Sequence, residues 1–157
     1  MKKSIQYFVV ICLLVSVFSA CKKSSTPAPL PIPDTTKPTI SVTKPTVGQV
    51  FIPGSTINFQ ATFTDNDKLG NYDIAITKKI PVGFILKNVP VPVKWSYTKG
   101  SVSFPTGSKT KDILYDILIP LDINGSPLEK GDYNFVVTCT DASGNVTTTN
   151  DLYIKIN

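Results

Sequence analysis

Ile57, Phe59, Ala61 and Phe63 stand at every second position and alternate with Asn58, Gln60, Thr62 and Thr64. A period of two is what a strand requires when one face is buried and the other meets water. The pattern recurs in Ile40 and Val42, in Tyr72, Ile74 and Ile76, and in Ile113, Tyr115, Ile117 and Ile119. It returns in Tyr133, Phe135, Val137 and Cys139, and last in Leu152, Ile154 and Ile156. Turn chemistry separates these runs at Gly48, Pro53-Gly54, Asp65 to Gly70, Pro120 and Asp141 to Asn145. No stretch after Thr36 sustains helical periodicity. The expected fold class is therefore all-β, a two-sheet sandwich of seven to eight strands over residues 38–157. A domain of this size buries roughly 65 to 70 per cent of its unfolded surface, enough for one core.

The middle of the domain, Lys78 to Gly107, departs from this regularity. Val89, Val91, Val93, Trp95 and Tyr97 share one parity, while Pro90 and Pro92 take the other. Proline removes a ladder donor, so the run is expected to be an edge strand or an extended arm. Trp95 and Tyr97 on such an edge would form an aromatic platform for a sugar ring or a partner protein, or else pack inward with the valines. Phe84, with Ile85 and Leu86 beside Gly83, is a further candidate contact residue, because three consecutive apolar side chains cannot all face one core.

Ahead of the domain, Lys2 and Lys3 precede an apolar run from Ile5 to Phe18, closed by small Ser19 and Ala20 before Cys21. This is the layout of a secretory signal peptide over residues 1–20, too short for a membrane-spanning helix of about 20 apolar residues. Small residues immediately before a cysteine resemble the lipobox of bacterial lipoproteins. The resemblance implies cleavage before Cys21 and lipidation of its thiol, with Phe18 standing where leucine is usual. Residues 21–37 then read as a lipidated cysteine and a proline-rich linker. Pro27, Pro29, Pro31 and Pro33 favour an extended chain of about 3.1 Å per residue, holding the domain roughly 40 to 45 Å from the bilayer. Lys22-Lys23-Ser24-Ser25 lacks the acidic cluster of a surface-export signal, which points to the periplasmic face of the outer membrane. Asp34-Thr35-Thr36 resembles a three-residue O-glycosylation motif, with Thr35 as acceptor.

Charge and composition exclude several activities. Without Lys2 and Lys3 the formal charge falls from +5 to +3, and every basic residue is lysine. With no arginine, the bidentate fork that reads guanine is missing, so no nucleic-acid partner is expected. With no histidine, the commonest general base and the usual transition-metal ligand are missing too. No cofactor is expected. Cys12 leaves with the signal, and a lipidated Cys21 leaves Cys139 without a partner, so it reads as a small buried hydrophobe.

Gly131-Asp132-Tyr133-Asn134-Phe135 resembles the tyrosine corner of immunoglobulin-type sandwiches, with Phe135 where antibody domains place a cysteine. Together with Pro45, Gly48, Phe51, Pro53-Gly54, Asp65 and the turn Asp141-Ala142-Ser143-Gly144-Asn145, the chain resembles an uncharacterised family of Bacteroidetes lipoproteins. Members carry one immunoglobulin-like domain of unknown function. The resemblance covers both ends of the domain and implies an immunoglobulin-like fold, without implying an activity.

Two loops carry oxygen donors. Asp65 and Asp67 in one, with Asp141 and Asn145 in another, could ligate calcium, but no complete calcium-loop spacing is present, so they read first as turn residues serving their own backbone hydrogen bonds, and no metal site is expected. The functional expectation is a non-enzymatic, lipid-anchored binding or scaffolding module of the cell envelope, for a glycan or an envelope protein. The alternatives are a structural subunit of an outer-membrane assembly, a calcium-dependent adhesion domain, and a carboxylate-dependent hydrolase.

Overall fold

In the computed structural model, which describes residues 32–79 and 92–157, the domain is built from strands alone. In chain order they are β1 (Thr39–Lys44), β2 (Gln49–Phe51), β3 (Thr56–Thr64), β4 (Leu69–Lys78), β5 (Ser96–Ser103) and β6 (Thr110–Leu118). They continue with β7 (Asp122–Ile123), β8 (Ser126–Pro127), β9 (Gly131–Asp141), β10 (Val146–Thr148) and β11 (Tyr153–Ile156). The signal region, Cys21, Phe84, Val89 and Val91 lie outside the described residues. Among the described residues no helix is long and apolar enough to cross a membrane.

One sheet has the order β1-β3-β6, and the other β2-β11-β9-β4-β5, with β10 also paired to β9. β7 and β8 form a separate two-stranded hairpin. All pairings between these strands are antiparallel except β2 with β11. The eleven segments reduce to nine once two interruptions are recognised, and to seven without the separate β7–β8 hairpin. β1 and β2 are halves of one strand that leaves the first sheet and joins the second, with a cis Lys44–Pro45 peptide between them. β10 and β11 both pair with β9, either side of residues 149–152. Strands shared in this way between two sheets define an immunoglobulin-like sandwich.

Alternation in sequence becomes burial in space. Ile57, Phe59 and Phe63 of β3, Ile74 and Ile76 of β4, and Tyr133, Phe135, Val137 and Cys139 of β9 are sealed between the sheets. Phe59 stacks on Phe135 with ring centroids 5.7 Å apart. At one end of the core Phe63, Tyr72 and Phe104 form a triad at 5.2–5.3 Å, and at the other Trp95 meets Tyr133 at 5.9 Å. Aromatic pairs of this kind each add about 0.5–1.5 kcal/mol beyond the area they bury. The Tyr133 hydroxyl donates to the Glu129 carbonyl, closing the preceding loop as the tyrosine-corner resemblance implied.

The middle segment differs from its expectation. Among the described residues β5 is an edge strand, bonded only to β4, and it begins at Ser96, so it takes in only the last two residues of the run from Val89 to Tyr97 in which an edge strand or extended arm was expected. Along β5 the alternation of exposure breaks at Gly100 and Ser101, where an irregularity opposite Asp73 shifts the register between Tyr72–Val102 and Ile74–Lys99. Val93 makes one isolated bridge to Leu128.

The strand directions give the sandwich two distinct poles. The chain enters beside the β3–β4 and β9–β10 loops, since Thr39 pairs with Thr64, Leu69 with Asp141 and Thr140 with Val146. The opposite pole carries the β2–β3 turn, the residues after β6, the β7–β8 hairpin and the chain leaving β4.

Candidate functional site

At the pole where the chain enters, three carboxylates from distant parts of the sequence meet. Asp34 precedes β1, Asp65 opens the β3–β4 turn and Asp141 ends β9. One oxygen from each lies within 4.8 Å of the others. Asp141 is only 4% exposed. Its Oδ1 accepts the N–H groups of Ser143 and Asn145 at 2.8 and 2.7 Å, and its Oδ2 accepts the Asn145 amide at 2.7 Å. Asp65 Oδ1 accepts the N–H groups of Asp67 and Lys68 at 2.9 and 2.7 Å, which fixes the β3–β4 turn. Asp34 Oδ1 accepts from the Thr36 N–H and from the Asn66 amide, at 2.9 and 3.1 Å. These two bonds hold the Asp34 carboxyl below its ordinary range, the backbone donor contributing most.

In each of the first two residues the other oxygen is different. Among the described residues, Asp34 Oδ2 and Asp65 Oδ2 are shut off from solvent and accept no hydrogen bond. Among the described residues no lysine forms an ion pair with Asp34, Asp65 or Asp141. The nearby Cys139 thiol registers this environment, pushed up to about 12 chiefly by burial and further by Asp65 and Asp141. A buried thiol so placed is a poor nucleophile.

The expected oxygen donors are therefore partly rearranged. Asp65 and Asp141 come together. Asp67 does not join them, because its carboxylate turns outward and pairs with Lys68 at 3.6 Å. Asn145 orients the pole, its side-chain amide donating to Asp141 Oδ2 and to the Asp34 carbonyl at 3.1 Å. Asp34 completes the cluster from within the linker. Thr35 is exposed beside it, but the aspartate of the Asp-Thr-Thr motif is turned inward.

Of the contact candidates, Trp95 is 5% exposed and packs against Tyr133, so the indole takes the inward of its two readings and offers no platform. The segment leading into Trp95 is fixed to residues 127–129, where the Val93 N–H donates to the Pro127 carbonyl and Val93 accepts from the Glu129 N–H, and Leu128 there is also buried. Tyr97 is half-buried, and its hydroxyl is driven above the ordinary range by burial first and by Tyr115 second. The Lys99 ammonium sits 3.4 Å from the Tyr115 ring centroid, covering this edge of the core. Tyr115 and Lys99 were not singled out in the sequence, where only their parity was visible.

The far pole has two surface features. A groove of about 600 Å³ is lined by Lys78, Lys79, Glu129, Lys130, Asp132 and Lys155 among others. Two of its lysines are paired, Lys78 with Glu129 at 3.8 Å and Lys155 with Asp132 at 4.0 Å, while Lys79 and Lys130 form no ion pair among the described residues. Beside it, three aliphatic side chains face solvent: Ile52, Leu118 and Leu121, at 63, 66 and 70% exposure. They sit on adjoining segments, for Leu118 pairs with Thr56, and the Gly54 N–H donates to the Ile119 carbonyl at 3.0 Å.

Fold and site together describe an immunoglobulin-like sandwich with carboxylates gathered where the chain enters and aliphatic side chains exposed where it does not. Residues 19–157 match the family described as Domain of unknown function (DUF4625), and the chain belongs to that family. Solved structures similar to it are those of a β-glucosidase from Listeria innocua: a mutant in complex with laminaribiose, the enzyme in complex with glucose, and the enzyme itself. Identities are 10, 9 and 9%, with TM-scores of 0.43, 0.42 and 0.41. The matches cover 77, 77 and 76% of this chain and 16% of each of those chains, so it spans about a sixth of their length. No curated protein sequence matches the chain.

Proposed function

We propose that this chain is a non-enzymatic binding module of a bacterial envelope, tethered by lipid at Cys21 to the periplasmic face of the outer membrane, in a Bacteroidetes-type lipoprotein. Its partner is a protein, and contact is made at the pole away from the tether. The observation that carries this reading is the polarity of the domain: the linker enters at the carboxylate pole, and Ile52, Leu118 and Leu121 are exposed at the other. Isolated exposed aliphatics are ordinary, but three on adjoining segments of one pole suit a protein surface. A sugar ring is better served by an exposed aromatic plane, which the burial of Trp95 removes.

The carboxylates favour the non-enzymatic reading. Glycosidases hold their two acids about 5 Å or more apart across a cleft that admits substrate, whereas these meet within 4.8 Å with two oxygens sealed from solvent. A photo-cross-linking residue introduced at Leu118 in living cells tests the assignment, with Val146 at the tethered pole as control. A discrete adduct is expected from position 118, absent from position 146 and lost when Leu121→Lys is added. Identical adducts from both positions, or none from 118, would contradict it.

A further inference from the structure

We infer that Asp34, Asp65 and Asp141 bind one divalent cation of the size and hardness of calcium, and that this ion pins the incoming linker to the sandwich. Three carboxylates brought together without a counter-ion repel one another, and burial sharpens the repulsion. Two of their oxygens, Asp34 Oδ2 and Asp65 Oδ2, are in addition buried with no donor to satisfy them. An unpaired buried acceptor costs free energy, and a charged one costs more. A cation between the three oxygens removes both penalties at once.

The donor set selects the ion. All three donors are carboxylate oxygens, which suit hard cations. The chain has no histidine, and Cys139 is buried between the sheets and does not belong to the cluster, so zinc and copper find no soft ligand among these three residues. Oxygens bound to one calcium at about 2.4 Å stand no more than about 4.8 Å apart, and these three lie within that limit of one another. Magnesium asks for a tighter octahedron at about 2.0–2.1 Å and keeps most of its water. The ligands also come from three separate places. Asp65 and Asp141 belong to loops joined to the core, whereas Asp34 belongs to the segment leading in from the linker. Occupancy therefore fastens that segment to the domain through a ligand 31 residues from Asp65 and 107 from Asp141.

The test is calorimetric titration of the full chain in detergent, stripped with chelator and then titrated with calcium chloride or magnesium chloride, alongside thermal unfolding. One calcium per chain is expected, with magnesium at least tenfold weaker. At a hundredfold excess over the dissociation constant the melting temperature should rise by about 10 °C. Asp34→Asn removes a ligand charge without touching the core. It should weaken calcium binding at least tenfold, while the chelated protein melts no lower than wild type because a repulsion has been relieved. Asp65→Asn, which keeps an acceptor for the Asp67 and Lys68 N–H groups, should behave alike. No calcium heat and no melting shift in folded wild type would overturn the inference. Full calcium affinity in Asp34→Asn would overturn it equally, by placing the ion elsewhere.

Discussion

Phe135→Ala should lower the stability of the domain by about 3–5 kcal/mol, the largest single loss expected from any side chain named above. Phe135 is fully buried, lies opposite Ile76 in the β4–β9 ladder and stacks on Phe59 from the other sheet. Truncation removes the ring that joins the two sheets at the position where antibody domains use a disulfide. Among the described residues Cys139 is free and Cys21 is reserved for lipid in the proposed reading, so aromatic stacking carries this task. Against a total of about 5–15 kcal/mol for a domain, the variant retains little margin. Urea unfolding should show a midpoint about 2 M lower with an unchanged slope. Leu114→Ala, on the exposed face of β6, should stay within about 0.5 kcal/mol. A Phe135→Ala loss below about 1 kcal/mol would mean that the sheets are held together elsewhere.

Gly70→Ala should cost about 3 kcal/mol, at the upper end of what overpacking does. A Cβ at this position would lie 2.6 Å from the Asp141 carbonyl oxygen and 2.8 Å from that of Thr140. Both obstacles are backbone atoms of β9, so relief requires the strand itself to move. Gly70 sits at the register shift between Leu69–Asp141 and Asn71–Thr140. The substitution therefore also displaces Asp141, and calcium affinity should fall although no ligand has been altered. Thermal unfolding with and without calcium separates the two effects. A variant as stable as wild type would contradict the close approach at this bulge.

The long strands were legible because each is buried on one face only. Ile57 to Phe63, Tyr72 to Ile76 and Tyr133 to Cys139 announce their inward residues directly, and all of these are buried. What alternation does not encode is which sheet a strand joins. The transfer of β1 to β2 between sheets leaves no trace in Ile40 and Val42, and β5 is hidden because its register shift breaks the period. Trp95 shows the limit of parity: from Val93 to Tyr97 the alternation holds, but parity is silent on whether that side faces the core or solvent. The carboxylate pole was half legible. Asp65, Asp141 and Asn145 announce themselves as turn residues, whereas Asp34 reads as linker until the fold brings it beside residues far along the chain. No local pattern signals such a contact.

The proposed function rests on a domain held at its carboxylate pole, and the mass of the mature chain extracted from membranes tests this most directly. The account predicts an N-terminus at Cys21 carrying diacylglycerol on its sulfur, and release of the protein into the soluble periplasm on Cys21→Ser. A chain cleaved elsewhere with a free Cys21 thiol, or one equally membrane-bound after Cys21→Ser, would contradict it.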